Sequence, residues 1–189
     1  MKQLLVLFVF LTGLMFVGCS QEGSIVDPVT STGKSEINWL KMPGTSGLSS
    51  EAQLTLNIDV NGATGAYKSF DMQFPGSSVT VSGSYFFPEN CLEGEEVITV
   101  VFDEATAAAE YYPSPYSFNA PLTANILYSG LDLSGVSVIT FVYLPPNSGE
   151  VEPVQFDQIV IDREAGTIEV INAKIWHFSK YGFVDGPLD

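Results

Sequence analysis

The segment at 177–181 combines residue types that could do chemistry. It reads His-Phe-Ser-Lys-Tyr, and His177 is the only histidine of the chain. A serine hydroxyl is a poor nucleophile at neutral pH unless a neighbouring base takes its proton, and an imidazole is well suited to that task. His177 and Ser179 are therefore a candidate pair of base and nucleophile.

The residues that precede this segment support a second interpretation. Ile171, Ala173 and Ile175 recur with a period of two, so they share one face of a strand, and His177 continues that face if the strand is regular. His177 would then be a core-facing imidazole with a hydrogen-bond partner. We favour this packing role, because no second catalytic group can be identified nearby.

A second group of candidates is the aromatic stretch "YYPSPY". Its members are Tyr111, Tyr112 and Tyr116, and two intervening prolines stiffen the stretch. Rigid exposed tyrosines can stack on a sugar or a protein partner at a small cost in entropy. The alternative is that these rings cover the edge of the fold, and binding by them is the weaker interpretation.

Other site chemistries have little support. One histidine cannot build a multi-histidine zinc site, and no cysteines are paired for metal binding. The carboxylates do not form the Asp-rich loop of a calcium hand, so a surface calcium site is only a minor alternative. These carboxylates are Asp157, Asp162, Glu164 and the pair at 103–104. We therefore expect no metal, no cofactor and no enzymatic activity on external substrates.

The formal net charge of −15 restricts the partners. Nucleic acid and anionic membrane surfaces are bound through clustered lysine and arginine, which this chain lacks. The scattered acidic residues are typical of a charge that keeps a protein soluble. A protein or glycan partner is compatible with this composition, and nucleic acid is excluded.

The first residues have the pattern of an export signal. A short basic start precedes an apolar run at 4–18, which is too short for a comfortable membrane span. The run ends in Gly18-Cys19 and resembles the bacterial lipoprotein signal, which implies cleavage after residue 18 and lipid (palmitate among the acyl chains) on the Cys19 thiol. Ser20 is not the aspartate that retains lipoproteins at the inner membrane. The resemblance thus implies a cell-envelope protein held by lipid, with the outer membrane favoured.

The remaining chain is predicted to be a tether followed by one domain. Residues 19–35 are rich in Ser, Thr, Gly and Pro and read as a flexible tether. Residues 36–189 are long enough for one domain with a sizeable core. If Cys19 carries lipid, Cys91 is the only cysteine left, so no intramolecular disulfide is available and we expect Cys91 to be a small apolar residue.

The hydrophobic pattern of this domain predicts an all-β fold. Polar and apolar residues alternate with period two, or form short β-branched runs, between turn signals. These segments lie at 54–60, 79–82, 97–102, 122–128, 136–144, 154–162 and 167–178. The last two read as a hairpin, with slips in the alternation at 157–158 and 170–171 that suggest β-bulges. With one short helix candidate at 104–110, the pattern predicts an antiparallel β-sandwich with short loops.

Four segments in order resemble the ZU-type domain of ankyrins and netrin receptors, which also occurs in bacterial extracytoplasmic proteins. They are "YFFPENCLEGEEVITVVF" at 85–102, "YSFNAPLTANILY" at 116–128, the apolar strand with its hairpin, and the closing segment at 177–181. The resemblance covers about 78–184 and implies a β-sandwich. The companion domain that follows in many family members has no counterpart in this sequence.

The same resemblance implies an alternative activity. Some family members break their own chain between Phe and Ser of a His-Phe-Ser motif. Here Ser179 Oγ would attack the carbonyl carbon of Phe178, His177 would take the hydroxyl proton, and water would hydrolyse the ester. Members that do not cleave keep a similar motif. Our prediction is therefore a non-catalytic interaction or structural module, with self-cleavage and glycan binding at the cell surface as alternatives.

Overall fold

The computed structural model describes residues 37–43 and 54–187, which belong to a compact unit at Ser35–Asp189. The described part contains eleven strands and no helix, and so no helix there could cross a membrane. In chain order they are β1 (Leu54–Asn61), β2 (Ala66–Gln73), β3 (Thr80–Phe87), β4 (Glu95–Phe102), β5 (Ala108–Tyr112), β6 (Tyr116–Ser129), β7 (Ile139–Leu144), β8 (Glu152–Pro153), β9 (Gln158–Asp162), β10 (Thr167–Phe178) and β11 (Lys180–Asp185).

The strands form two antiparallel sheets that pack face to face. The first sheet has the order β1-β4-β5-β11-β7-β8, and the second has the order β2-β3-β6-β10-β9. Alternate side chains of each strand fill the space between the sheets, as in Leu122, Ala124, Ile126 and Tyr128 of β6, which are all buried. The predicted β-sandwich is thus confirmed.

The predicted helix at 104–110 is wrong. Asp103 Oδ1 accepts the N–H groups of Ala105 and Thr106 and makes a turn, and β5 follows. Three of the alanines that suggested a helix, Ala107, Ala108 and Ala109, are buried at a crowded point of the first sheet, where the segment 37–43 pairs with Thr106 and with Val184 of β11. Their small side chains allow this close approach, so tertiary packing overrides helix propensity.

Strand β10 contains two irregularities that change which side chains face the core. A register shift against β6 lies between Val170 and Ala173, close to the predicted slip at 170–171. Asn172 has a φ of 55° there, with its N–H bonded to Asn125 Oδ1. A second shift lies between Ile175 and His177, so that Phe178 points into the core. The slip expected at 157–158 coincides instead with the start of β9.

The two ends of the sandwich carry different segments of the chain. At one end, which we call the entry end, Asn38 pairs with Asp185 through main-chain and side-chain hydrogen bonds, so the chain enters the domain close to where it leaves it. The opposite end, which we call the distal end, carries the loops after β1, β3, β5 and β7 and the turn at Ser179. Both groups of predicted site residues lie at or next to the distal end.

Candidate functional site

The structure places His177 on the surface, so its predicted core-facing role is wrong. The bulge between Ile175 and His177 leaves the imidazole exposed, although Ile175 is fully buried. His177 Nδ1 lies 3.0 Å from Ser117 Oγ, and the ring packs at a tilt against Tyr143 with 5.9 Å between centroids. The hydrogen-bond partner that we expected exists, but it is a surface hydroxyl of β6.

Phe178 and Tyr181 have the packing role that sequence reasoning assigned to the histidine. Phe178 is fully buried and makes an edge contact with Phe118 at 4.6 Å between ring centroids. The Tyr181 hydroxyl donates to the carbonyl oxygen of His177 at 2.9 Å, and this hydroxyl also lies 3.4 Å from the His177 N–H, which donates to it. Burial raises the pKa of the Tyr181 phenol well above its usual range. These contacts fix the turn between β10 and β11.

The carbonyl oxygens of Phe178 and Ser179 each accept a hydrogen bond. Ser114 Oγ donates to the Phe178 carbonyl oxygen at 2.9 Å, and the Tyr111 N–H donates to the Ser179 carbonyl oxygen at 2.9 Å. A donor on the Phe178 oxygen would stabilise negative charge there during attack on this carbonyl. The imidazole of His177, however, is hydrogen-bonded through Nδ1 to Ser117 Oγ, and no hydrogen bond between His177 and Ser179 is found among the described residues.

The three candidate tyrosines do not form one exposed group. Tyr111 is 1% exposed, and its hydroxyl lies 2.9 Å from that of Tyr85, which is also buried. Burial raises the pKa of the Tyr111 phenol, and this effect outweighs the hydrogen bond from Tyr85. Tyr111 is therefore a core residue, and its predicted binding role is wrong.

Tyr112 and Tyr116 lie nearer the surface. The Tyr112 ring is 42% exposed, and its hydroxyl donates to Glu110 Oε2 at 2.6 Å, which raises the pKa of the phenol. Tyr116 is half-buried and packs against Phe118 and Phe178 with centroids 5.2 and 5.7 Å away. Tyr112 is thus the member of the predicted set whose ring is free to meet a partner.

Tyr112 separates two depressions on the outer side of the first sheet. The larger, of about 510 Å³, is lined by the turn at 103–105 together with Val101, Glu110 and Tyr112. The smaller, of about 200 Å³, lies between the prolines at 145–146 and the turn residue Ser179. Glu110 and Tyr112 line both, so we call the two depressions together the Tyr112 groove.

An ion pair joins the two depressions, because Asp103 lines the larger and Lys180 lines the smaller. Lys180 Nζ lies 2.6 Å from Asp103 Oδ2 and 5.2 Å from the centre of the Trp39 ring. Burial alone would raise the pKa of the Asp103 carboxyl, but the hydrogen bond and charge of Lys180 and the N–H of Ala105 together hold it below its usual value. The Asp103 carboxylate therefore keeps its charge at neutral pH, and the pair ties β11 to the end of β4.

Sequence reasoning missed several residues of this site. Ser114, Ser117 and Asp103 become neighbours of the terminal motif only through strand pairing across long separations, as in the Ser114–Phe178 and Ser117–His177 contacts. No local pattern marks such partners. Lys180 belongs to the motif at 177–181, and it lies opposite Glu110 in the β11–β5 ladder. Knowledge of this strand pairing would have placed Lys180 in the site.

Three predictions concern Cys91, metal binding and the lipidation site. Cys91 is fully buried, and burial raises the pKa of its thiol, which fits the expected small apolar role. Among residues 37–43 and 54–187, no group of three or more His, Cys, Asp or Glu side chains is placed to hold a metal ion. The predicted lipidation site, Cys19, lies outside the described residues.

Comparisons with protein-family models, with curated proteins and with solved structures give no match for this chain.

Proposed function

We propose that this chain is a lipid-anchored β-sandwich of the cell envelope, most simply of the outer membrane, that serves as a non-catalytic interaction module. The anchor would be the lipid on Cys19, reached through the tether at 19–35. The contact surface would be the Tyr112 groove, which runs along the outer side of the first sheet from the turn at 103–105 to the turn at Ser179. A protein or glycan partner fits this groove, since it offers an aromatic ring beside carboxylate and hydroxyl groups.

The position of the Tyr112 ring is the observation that carries the proposal. The ring is 42% exposed although its neighbour Tyr111 is buried, and the short bond to Glu110 holds its hydroxyl end in place. A ring that is fixed in advance loses little entropy when a partner covers it.

Site-specific photo-crosslinking tests this proposal. A photoreactive residue replaces Tyr112 in the full chain, and the matched control carries it at Val97, which is 52% exposed on the outer face of the same sheet. We expect a discrete adduct in cells from position 112 only. Excess purified full-length protein should suppress that adduct, whereas the Tyr112→Ala variant should not. The same adducts at both positions, or none at position 112, would contradict the proposal.

Self-cleavage is the second candidate, and one observation favours it. The bond from Ser114 Oγ to the Phe178 oxygen would support a negatively charged oxygen during attack by Ser179. Ser179 Oγ would form an ester bond with the Phe178 carbonyl carbon as the bond from this carbon to the Ser179 nitrogen breaks and the hydroxyl proton passes to that nitrogen. Water would then split the ester into the Phe178 carboxylic acid and the free Ser179 hydroxyl. We rank this activity second, because the hydrogen bond of His177 is directed to Ser117.

A further inference from the structure

Three exposed aromatic rings lie on the outer face of the second sheet. Tyr67 is 68% exposed, Phe86 is 51% exposed and Trp176 is 44% exposed. Tyr67 and Phe86 are direct partners in the β2–β3 ladder, so their side chains stand next to each other on one face. We call these three residues the aromatic platform. Exposed aromatic side chains at this density on one sheet face need a reason, because each costs free energy in water.

Strand pairing fixes the geometry of the aromatic platform. Phe86 pairs with Thr123, and Thr123 pairs with Lys174. Trp176 lies two residues beyond Lys174, and its neighbour Ile175 is buried, so the Trp176 ring points to the same outer face as Phe86. Strand spacing and rise place Phe86 and Trp176 on the order of 12 Å apart. The rings therefore stand on one sheet face at a spacing about as long as a short oligosaccharide.

Polar groups lie between the rings. Lys174 Nζ donates to Thr123 Oγ1 at 2.8 Å, and both groups stand between Phe86 and Trp176. Asn125 Nδ2 donates to Ser84 Oγ at 3.2 Å in the adjacent row. A protein interface usually has a continuous apolar centre with a polar rim. The aromatic platform instead alternates rings with hydroxyl, amide and ammonium groups, which matches a sugar chain, whose residues present apolar ring faces and hydroxyl edges.

The charge of this surface also restricts its partner. The chain has 22 acidic residues. Nevertheless, the two rows of side chains that run across β2, β3, β6 and β10 around the platform contain no carboxylate. On those strands Asp71 and Glu169 stand one row further, and Asp157 is bonded to Asn172 at the side of the sheet. The chain as a whole has a formal net charge of −15, which repels an anionic polymer or a second acidic copy, whereas a neutral ligand meets no such repulsion.

We propose that the aromatic platform is a binding site for neutral polysaccharide chains. Tyr67, Phe86 and Trp176 stack on sugar ring faces, and Thr123 and Lys174 hydrogen-bond to the hydroxyl groups between them. This surface belongs to the second sheet and shares no residue with the Tyr112 groove. Polysaccharide binding can therefore hold or fail independently of the proposed interaction at Tyr112.

Retention on insoluble polysaccharide tests the inference. The full-length protein, purified in detergent, is mixed with cellulose or chitin, and the unbound fraction is measured against soluble polygalacturonate as an anionic competitor. We expect retention of the wild type on at least one neutral polymer and no competition by polygalacturonate. Phe86→Ala or Trp176→Ala should each weaken retention about tenfold, because each removes one stacking ring.

The matched control is Val160→Ala. Val160 is 40% exposed and pairs with Glu169 on the same sheet, away from the rings, so this variant should bind like the wild type. Thermal melting of all variants verifies that they fold. Failure of the wild type to bind either polymer would overturn the inference, as would binding that the ring substitutions leave unchanged or that polygalacturonate abolishes. A dimer in sedimentation velocity that Trp176→Ala dissociates would also overturn it, since the platform would then contact a second copy.

Discussion

At the scale of single residues, Tyr85 and Tyr111 show how two polar groups in a core can bond to each other. Their hydroxyls are each other's partner at 2.9 Å, and the rings meet edge to face with centroids 6.0 Å apart. Burial raises the pKa of both phenols, so both stay neutral and can share one hydrogen bond. The exposed tyrosine that we expected at position 111 is thus half of a structural pair.

A double-mutant cycle measures this pair. Tyr111→Phe should lower the free energy of unfolding by about 1–2 kcal/mol, because it leaves the Tyr85 hydroxyl buried without its partner. The double variant with Tyr85→Phe should lose less than the sum of the two single losses, since no unpaired hydroxyl remains. Denaturant unfolding provides the measurement, and strictly additive losses would show that the two hydroxyls do not depend on each other.

The ion pair between Asp103 and Lys180 predicts how the stability of the fold depends on pH. The pKa of Asp103 is lowered from its ordinary value of 3.8, so the pair stabilises the fold fully above that value and stops doing so as the pH falls through the lower, folded-state pKa. Lys180→Met should cost about 1 kcal/mol at neutral pH, and this cost should shrink as the pH falls below about 4 and vanish once the pH is below the folded-state pKa of Asp103.

Lys174→Met is the matched control for that experiment. Lys174 is also half-buried, but its ammonium group bonds to the Thr123 hydroxyl and not to a carboxylate. Its effect on the melting temperature should therefore stay constant over the same acidic range. An effect of Lys180→Met that is equally large at neutral and acidic pH would contradict the role given to Asp103.

At the scale of secondary-structure elements, the centre of the first sheet depends on small residues. A Cβ at Gly182 would lie 2.7 Å from Ala108 Cα and 2.8 Å from Ala107 O, both of which are backbone atoms that cannot move aside. Here β11, β5 and the segment 37–43 meet, with hydrogen bonds from Leu40 N to Phe183 O and from Ala107 N to Leu40 O. The sequence of this point is restricted by the closeness of three backbones.

Gly182→Ala should therefore destabilise the fold by about 1–3 kcal/mol, as overpacking of a core usually does. Adding Ala108→Gly removes the side-chain carbon that the new methyl group meets, so the double variant should recover part of the lost stability. Thermal unfolding of the two variants checks the prediction. A Gly182→Ala protein that melts like the wild type would show that the strands can separate without cost.

Element prediction from the sequence succeeded where alternation is regular and failed at irregular points. The strands at 54–60 and 122–128 were predicted because one face of each is buried. The face predicted for His177 was wrong because the alternation indicated only the slip at 170–171. The second bulge, between Ile175 and His177, was not predicted. The helix predicted at 104–110 was wrong because the buried alanines of this segment allow neighbouring strands to lie close together. That contact depends on pairing with residues distant in sequence.

At the scale of the whole molecule, the site could be predicted only in part. The motif at 177–181 and the tyrosines at 111–116 do meet at the distal end, as Ser114 and Tyr111 contact the Phe178-Ser179 group. Which members are buried could not be read from the sequence, since Tyr111 and Tyr112 are neighbours with opposite environments. Alternation within a strand decides such pairs once the strand itself is known.

The anchoring prediction concerns the start of the chain. Cys19→Ser removes the thiol that would carry lipid, so the variant should incorporate no radiolabelled palmitate and should be poorly processed. Cys91→Ser is the control, because Cys91 is buried in the domain and its loss should leave labelling unchanged. Equal labelling of the wild type and the Cys19→Ser variant would refute lipid attachment at this position.

The intact mass of the purified full-length protein tests most directly whether the domain is non-catalytic. We predict one chain without a break at Phe178-Ser179, because the imidazole of His177 is exposed and is hydrogen-bonded through Nδ1 to Ser117. Ser179→Ala and the matched control Ser117→Ala should then differ from the wild type only by the oxygen that each loses. A fragment beginning at Ser179, present in the wild type and abolished by Ser179→Ala but not by Ser117→Ala, would contradict the account and establish self-cleavage.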